Sequence, residues 1–287
     1  MNFRRIEWIF LIAFVVLDVF LGFMFVQTSS KSTTTSGDTA TTVIREMRAD
    51  NISFSDPKTS ESTGYYIAGS NDNDLKQRIS QLTEQTARIE SSGKLTSTLR
   101  TVQTITANKA KSELTTFMKQ STNVIHGDEY VYDADLSSKS EYVFVQKVAD
   151  GDILTSAGQV HLTVNKSNQL ISYTQTYVDN VKTLREKAVT ISERKALVAL
   201  YQYNQVSNSS RIMWAKLGYS RLLKLKDSSV YVPTWIFAVR SKNSSNVTIH
   251  RINAFTGAAM KSDTTATTTT AGVTGLGTAA GMLWRAE

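Results

Sequence analysis

Ile191 to Asn204 reads ISERKALVALYQYN, and this stretch with the strands after it, down to INAFTGA at Ile252–Ala258, decides the fold. Ser192 is a helix-capping residue type. Leu197, Leu200 and Tyr201 then recur at three- and four-residue spacing, which predicts a helix with one apolar face. After it the period shortens. Ile212–Tyr219, Leu222–Leu225, Val230–Val239 and Val247–Ile252 read as strands, and Asn253-Ala254-Phe255-Thr256-Gly257 as the turn that closes the last hairpin. A helix followed by strands with short turns is an α+β unit on an antiparallel sheet.

The same plan precedes it. Short strands are expected at Asn51–Ser55 and Tyr65–Ala68, around the turn-forming pair Asp56-Pro57. Asn71–Asp74 supplies capping residues, and Leu75, Ile79, Leu82, Thr86 and Ile89 predict a helix that Gly93 would end. A second helix is expected at Asn108–Gln120, burying Leu114, Phe117 and Met118. From Asp128 the period is two: Tyr130 and Tyr132, then Tyr142, Phe144 and Val148, then Val160, Leu162 and Val164, then Ile171, Tyr173 and Tyr177. Asn165-Lys166-Ser167-Asn168 turns between two of these runs. The sequence therefore predicts two helix-plus-antiparallel-sheet subdomains, at 43–180 and 181–261.

Tyr231-Val232-Pro233-Thr234-Trp235-Ile236-Phe237 is the most aromatic stretch of the second unit. Pro233 removes one ladder hydrogen bond, so this strand is expected at an edge or starting after the proline. Tyr231, Pro233 and Trp235 then become candidates for pairing with another protein, against the alternative of core packing.

At the other end of the chain, Trp8 to Val26 is almost wholly apolar, interrupted only by Asp18. Roughly 19 helical residues span ~28 Å, close to a bilayer's hydrocarbon thickness. The run exceeds a signal-peptide core and Phe23–Gln27 offers no small-residue cleavage site, so an uncleaved anchor at 8–26 is expected. Arg4 and Arg5 precede it, which places residues 1–7 in the cytoplasm and the remainder outside, with Trp8 at the inner interface. Asp18 is either tolerated in an otherwise apolar helix or meets a polar group on a neighbouring transmembrane helix. Residues 27–42 read as a flexible Ser/Thr linker and 262–287, rich in Thr, Ala and Gly, as a disordered tail.

The formal charge is +7, all of it on residues 27–287, because Arg4 and Arg5 balance Glu7 and Asp18. No basic run or aromatic-interleaved motif accompanies it, which argues against nucleic-acid binding. Such an excess suits anionic headgroups or wall polymers, and equally well an ordinary solvated surface with a modest surplus of charge. The absence of cysteine excludes disulfides, thiol catalysis and cysteine-ligated metals. His126, His161 and His250 stand far apart, and no nucleophile elbow or phosphate loop is present, so no cofactor, metal or enzymatic activity is expected. Asp128, Glu129, Asp133 and Asp135 are the carboxylates a glycan-cleaving alternative would use.

Several segments together resemble the YycI (WalI) family, accessory membrane regulators of the cell-wall-linked WalK/WalR two-component system of Gram-positive bacteria. They are RRIEWIFLIAFVVLDVFLGFMF at 4–25, ISERKALVALYQYN at 191–204, LGYSRLL at 217–223 and VYVPTWIF at 230–237. INAFTGA also resembles the closing hairpin of PepSY-type modules. The resemblance implies a non-enzymatic regulator that acts, with a YycH-like partner, on the transmembrane and sensor regions of a WalK-type histidine kinase. A tethered module that captures an anionic wall polymer or peptide is the competing reading.

Overall fold

Residues 8, 11–21, 36–70, 74–148, 150–242, 244 and 246–261 are described by the computed structural model of the protein. Residues 11–21 are helical, and their apolar side chains, like Trp8, are exposed. Among the described residues no helix is long and apolar enough to cross a membrane. The remainder of the expected anchor, Arg4 and Arg5, and the expected disordered tail lie outside the described residues.

Downstream come helices α1 (Ser36–Ala49), α2 (Asp74–Arg78), α3 (Ala110–Met118) and α4 (Glu193–Gln202). The first six strands are β1 (Ser62–Gly64), β2 (Ile67–Ser70), β3 (Gln85–Ile89), β4 (Leu95–Thr104), β5 (Tyr130–Asp133) and β6 (Glu141–Val148). Five shorter ones follow: β7 (Gly151–Ile153), β8 (Gln159–Val164), β9 (Gln169–Gln175), β10 (Asp179–Thr183) and β11 (Ala188–Thr190). The last are β12 (Ser210–Lys224), β13 (Ser228–Ser241), β14 (Val247–Asn253) and β15 (Ala259–Met260). All but β1 and β11 share one sheet, whose main path runs β10-β2-β13-β12-β7-β6-β8-β9-β4-β3. Its pairings are antiparallel except β12 with β7, where Tyr219 meets Ile153. The chain is α+β.

Helices cover one face of the sheet at each end. In the first unit α3 sets Leu114, Phe117 and Met118 against Phe144, Leu162, Leu170 and Tyr173. In the second, α4 sets Leu197 and Leu200 against Trp235, Phe237 and Ile252. The Ser192 hydroxyl caps α4 by accepting from Lys195 N at 3.3 Å. Beneath these cores the opposite faces meet, with Val143 and Val145 of β6 packed in one cluster with Leu154 and Ile236 of β13. Burying such side chains contributes about 1.5–3 kcal/mol each.

Several elements depart from the sequence reading. The helix expected from Asn71 to Gly93 lasts five residues and a 3-10 turn, Ile79–Gln81. Glu84 then adopts φ 54° and the chain turns into the β3–β4 hairpin, whose bend holds Gly93 at φ 83°. The apolar stripe is real, since Leu75, Ile79, Leu82 and Ile89 all touch the first core, but a helix supplies only its first part. The Thr86 and Ile89 branching favours the strand.

Residues 36–42 of the expected flexible linker belong to α1, whose Val43, Ile44 and Met47 are buried against α4 and β13. The segment 43–54 therefore packs in the second unit, although it precedes the first in the chain. The expected strand at Asn51–Ser55 is reduced to a bridge between Ser53 and Arg211. Ile212–Tyr219 and Leu222–Leu225 are one strand, β12, with register shifts after Ile212 and Arg221. In β9 a similar slip turns Leu170 inward in place of Ile171.

Candidate interaction surface

The β12–β13 hairpin ends in RLLKLKDSS, Arg221–Ser229, an alternation of leucine and lysine around a tight turn. The turn is closed by Leu225 N donating to Ser228 O at 2.8 Å. Arg221 pairs with Tyr231 and Leu223 with Val230, so Leu222 is an extra residue without a partner across the ladder. A bulge of this kind re-aims consecutive side chains. Leu222, Leu223 and Leu225 consequently stand about half exposed (49%, 51% and 47%), with Lys224 and Lys226 between and after them. Three half-exposed leucines in so short a stretch make this tip a candidate contact surface.

Beside the tip lies an open groove of about 670 Å³ between the two units. Lys94, Glu141 and His161 line it from the first unit, and Arg221, Lys224 and Lys226 from the second. His161 Nδ1 lies 2.9 Å from Glu141 Oε1 and its Nε2 lies 2.9 Å from Gln159 Oε1. The His161 contact holds the Glu141 carboxyl below its ordinary range, against the opposing pull of partial burial. Lys94, Arg221, Lys224 and Lys226 nevertheless outnumber this one carboxylate among the residues that line the groove.

Several other titratable groups form structural pairs. His126 Nε2 lies 2.6 Å from Asp74 Oδ2, its Nδ1 lies 3.3 Å from Glu129 Oε1, and its ring stacks on Tyr177 at 4.5 Å. Tyr177 OH donates to Glu129 at 2.9 Å. Asp133 Oδ1 accepts from Asp135 N, Leu136 N and Lys216 Nζ, so it fastens a turn and a cation at once. Two of the carboxylates a glycan-cleaving enzyme would use, Asp133 and Asp135, share the Lys216 ammonium. His250 lies 3.1 Å from Gln205 Oε1, and burial first, then the charge of Arg251, lowers its pKa. Among the described residues no cluster of His and acidic groups could hold a metal ion.

The residues singled out on sequence fall elsewhere. Asp18 lies in the helical stretch 11–21, exposed, as Trp8 is. Tyr231, Pro233 and Trp235 are not at an edge: β13 is paired with β12 on one side and with β2 and β14 on the other. Tyr231 and Trp235 are buried, and Trp235 Nε1 donates to Ile191 O at 2.8 Å. Pro233 is tolerated inside the sheet because, along β13, the pairing with β2 stops at Tyr231 and the pairing with β14 begins only at Thr234. Its carbonyl accepts from Ala254 N, so its nitrogen faces that same gap, where no ladder bond is lost. Trp235 and Phe237 do share one face and Ile236 the other.

The sequence matches the YycI protein family over residues 30–255. The chain belongs to the YycI family. The match takes in α1 to α4 and stops inside the Asn253–Gly257 turn. Members of this family are accessory regulators of the WalK system, and the family is not one of enzymes. No curated protein matches the chain closely enough to count as a relative. Among solved structures it is similar to an uncharacterized protein from Eubacterium rectale ATCC 33656, at 9% identity over 69% of this chain and 86% of that one, with a TM-score of 0.41. It is also similar to the Bacillus megaterium YpeB C-terminal domain, at 15% identity over 78% of this chain and 95% of that one, with a TM-score of 0.35. Within the YycI fold, the sequence marks the hairpin tip only as a strand. The signal that could have flagged it is LLKLK leading into a turn, too apolar for a solvated loop and too charged for core.

Proposed function

We propose that the protein is a non-enzymatic, membrane-anchored regulator of a WalK-type sensor histidine kinase, working with a YycH-like partner. Membership of the YycI family carries the reading. The apolar run Trp8–Val26 anchors the chain in the cell membrane, with Arg4 and Arg5 in the cytoplasm and the α+β units outside. Asp18 contacts a polar group on a neighbouring transmembrane helix, and the Leu222–Leu225 hairpin tip makes the extracytoplasmic contact.

A regulator of this kind works by binding one arrangement of the kinase helices more tightly than another. Its influence cannot exceed that difference in affinity, and couplings of ~1–3 kcal/mol are usual. A lone helix carrying one polar group in hydrocarbon is suited to such a bias, because its partner in one arrangement is absent in the other. The pairing of Asp133 and Asp135 with one Lys216 ammonium gives both carboxylates a structural role, which favours a regulator over a hydrolase there.

Photo-crosslinkers placed one at a time from Trp8 to Val26 in living cells test the reading. Recovery of the kinase from one helical stripe that includes Asp18 is expected. Crosslinks to lipid alone at every position would remove the helix from the mechanism.

A further inference from the structure

Arg211 of β12 and Arg240 of β13 are direct partners across the antiparallel ladder. Residues so paired hold their side chains on one face with Cβ atoms about 4.5–5.5 Å apart, where like charges repel. Lys242, just past the end of β13, lines the same concavity as the two arginines, an open hollow of about 680 Å³. No carboxylate lines it, and among the described residues no ion pair joins any of the three cations to an acidic group. Ser53, Ser209 and Ser241 add hydroxyls to its wall.

The floor is braced. Ser53 N donates to Ser210 O, Ile212 N to Ser53 O and Ser209 N to Asp50 O, each at 2.9 Å, and Lys242 N donates to Ser209 O at 3.1 Å. Ser209 is held at φ 59° and Asn51 at φ 57°, left-handed conformations that non-glycine residues seldom adopt without a surrounding structure to impose them. Three cations are therefore presented on a rigid support with no internal counter-charge.

We propose that this hollow is a binding site for phosphate groups carried on a polyanion. Opposed guanidinium forks match phosphoryl oxygens bidentately, the lysine adds a point charge, and serine hydroxyls donate to the remaining oxygens. The hollow is open and about 680 Å³, so successive phosphates of a polymer can occupy it. A headgroup phosphate presents the same chemistry. The hollow lies at the C-terminal end of α1, a helix about 21 Å long. The site is independent of the kinase reading, and either can fail without the other.

The test uses the full chain in neutral detergent micelles, titrated calorimetrically with inorganic phosphate and with short-chain polyphosphate. A second arm uses the full chain in nanodiscs of phosphatidylcholine with and without phosphatidylglycerol. Saturable polyphosphate binding that weakens at least tenfold in the Arg211→Gln/Arg240→Gln variant is expected. The thermal midpoint of Arg240→Gln without ligand is expected to be unchanged or higher, since a like-charge contact is relieved. A response confined to phosphatidylglycerol nanodiscs and lost in the same variant would identify the phosphate as a headgroup's and still support the site. Equal binding by wild type and double variant, or an equal loss in Lys224→Gln/Lys226→Gln, would overturn it, because binding would then be diffuse charge attraction.

Discussion

Lys216 Nζ sits 2.7 Å from Asp133 Oδ1, and that contact ties β12 of the second unit to β5 of the first. The Asp133 side chain is only 7% exposed, and Asp135 approaches the same ammonium at 2.6 Å. Burial alone would lower the Lys216 pKa, but the two carboxylates overcome it and hold the ammonium above its ordinary value. The contact bridges the two units beside the Val143–Ile236 cluster, where the faces of the sheet not covered by helices meet.

Replacing Lys216 by methionine strands a buried carboxylate. Breaking a wholly buried pair costs about 3–5 kcal/mol; with Lys216 27% exposed, about 2 kcal/mol is expected. Asp133→Asn keeps the Oδ1 acceptor for Asp135 N and Leu136 N. The double variant should therefore recover more than half of the loss. Urea unfolding of the four proteins measures this, and strictly additive losses would refute the coupling.

The Asp74–His126 contact sets an acid limit. Burial raises the Asp74 pKa, but the hydrogen bonds from His126 and Arg78 prevail and hold the carboxyl below its ordinary range. The folded state then binds this proton less readily than the unfolded chain. Its contribution is whole above the unfolded value of about 3.9 and drains away as pH falls through the folded one. The stability advantage of wild type over Asp74→Asn should shrink between pH 5 and pH 3. Thermal unfolding at both pH values checks it, and an advantage that widens in acid would contradict it.

Two glycines should respond unequally to alanine. A Cβ on Gly127 would run into the Met118 carbonyl, and backbone cannot step aside. A loss of about 3 kcal/mol is expected from such overpacking. Gly93, at φ 83°, meets nothing within 4 Å, so Gly93→Ala carries only backbone strain of about 1–2 kcal/mol. Similar unfolding midpoints for both would mean that the α3–β5 connection yields.

Local signals carried much of this fold. Ser192 and the Leu197/Leu200 spacing placed α4 within a residue or two, and Asn165 shaped its turn as its side-chain type allows, accepting from Ser167 N and Gln169 N. The failures are tertiary. Leu75, Ile79, Leu82 and Ile89 fit a helical stripe and equally a short helix followed by a half-buried strand, and the sequence does not announce the left-handed turn at Glu84. Pro233 suggested an edge because the gap between β2 and β14 is created by residues far away in the chain. The Lys216–Asp133 bridge and the Arg211–Arg240 opposition span 83 and 29 positions, and nothing local announces either.

The hairpin leucines should matter to partners and not to folding. Leu222, Leu223 and Leu225 are about half exposed and belong to none of the core clusters among the described residues. Surface changes of this kind stay within about 0.5 kcal/mol. Leu222→Ser/Leu223→Ser/Leu225→Ser should unfold like wild type yet lose co-purification with the kinase or the YycH-like partner. Undiminished co-purification would move the contact elsewhere.

Asp18 offers the sharpest separation between anchor and regulator. A carboxylate at mid-helix disfavours insertion by ~2.5–3.5 kcal/mol, so Asp18→Leu should insert at least as well as wild type. Interhelical hydrogen bonds in membranes contribute about 0.6–1.7 kcal/mol. Losing one should therefore weaken association with the kinase about three- to twentyfold in a membrane two-hybrid assay, at unchanged expression. Asp18→Asn keeps a hydrogen-bonding group and should retain most of the signal. If leucine associates as well as aspartate, the carboxylate is a tolerated passenger and the bilayer contact must be carried by the apolar face alone.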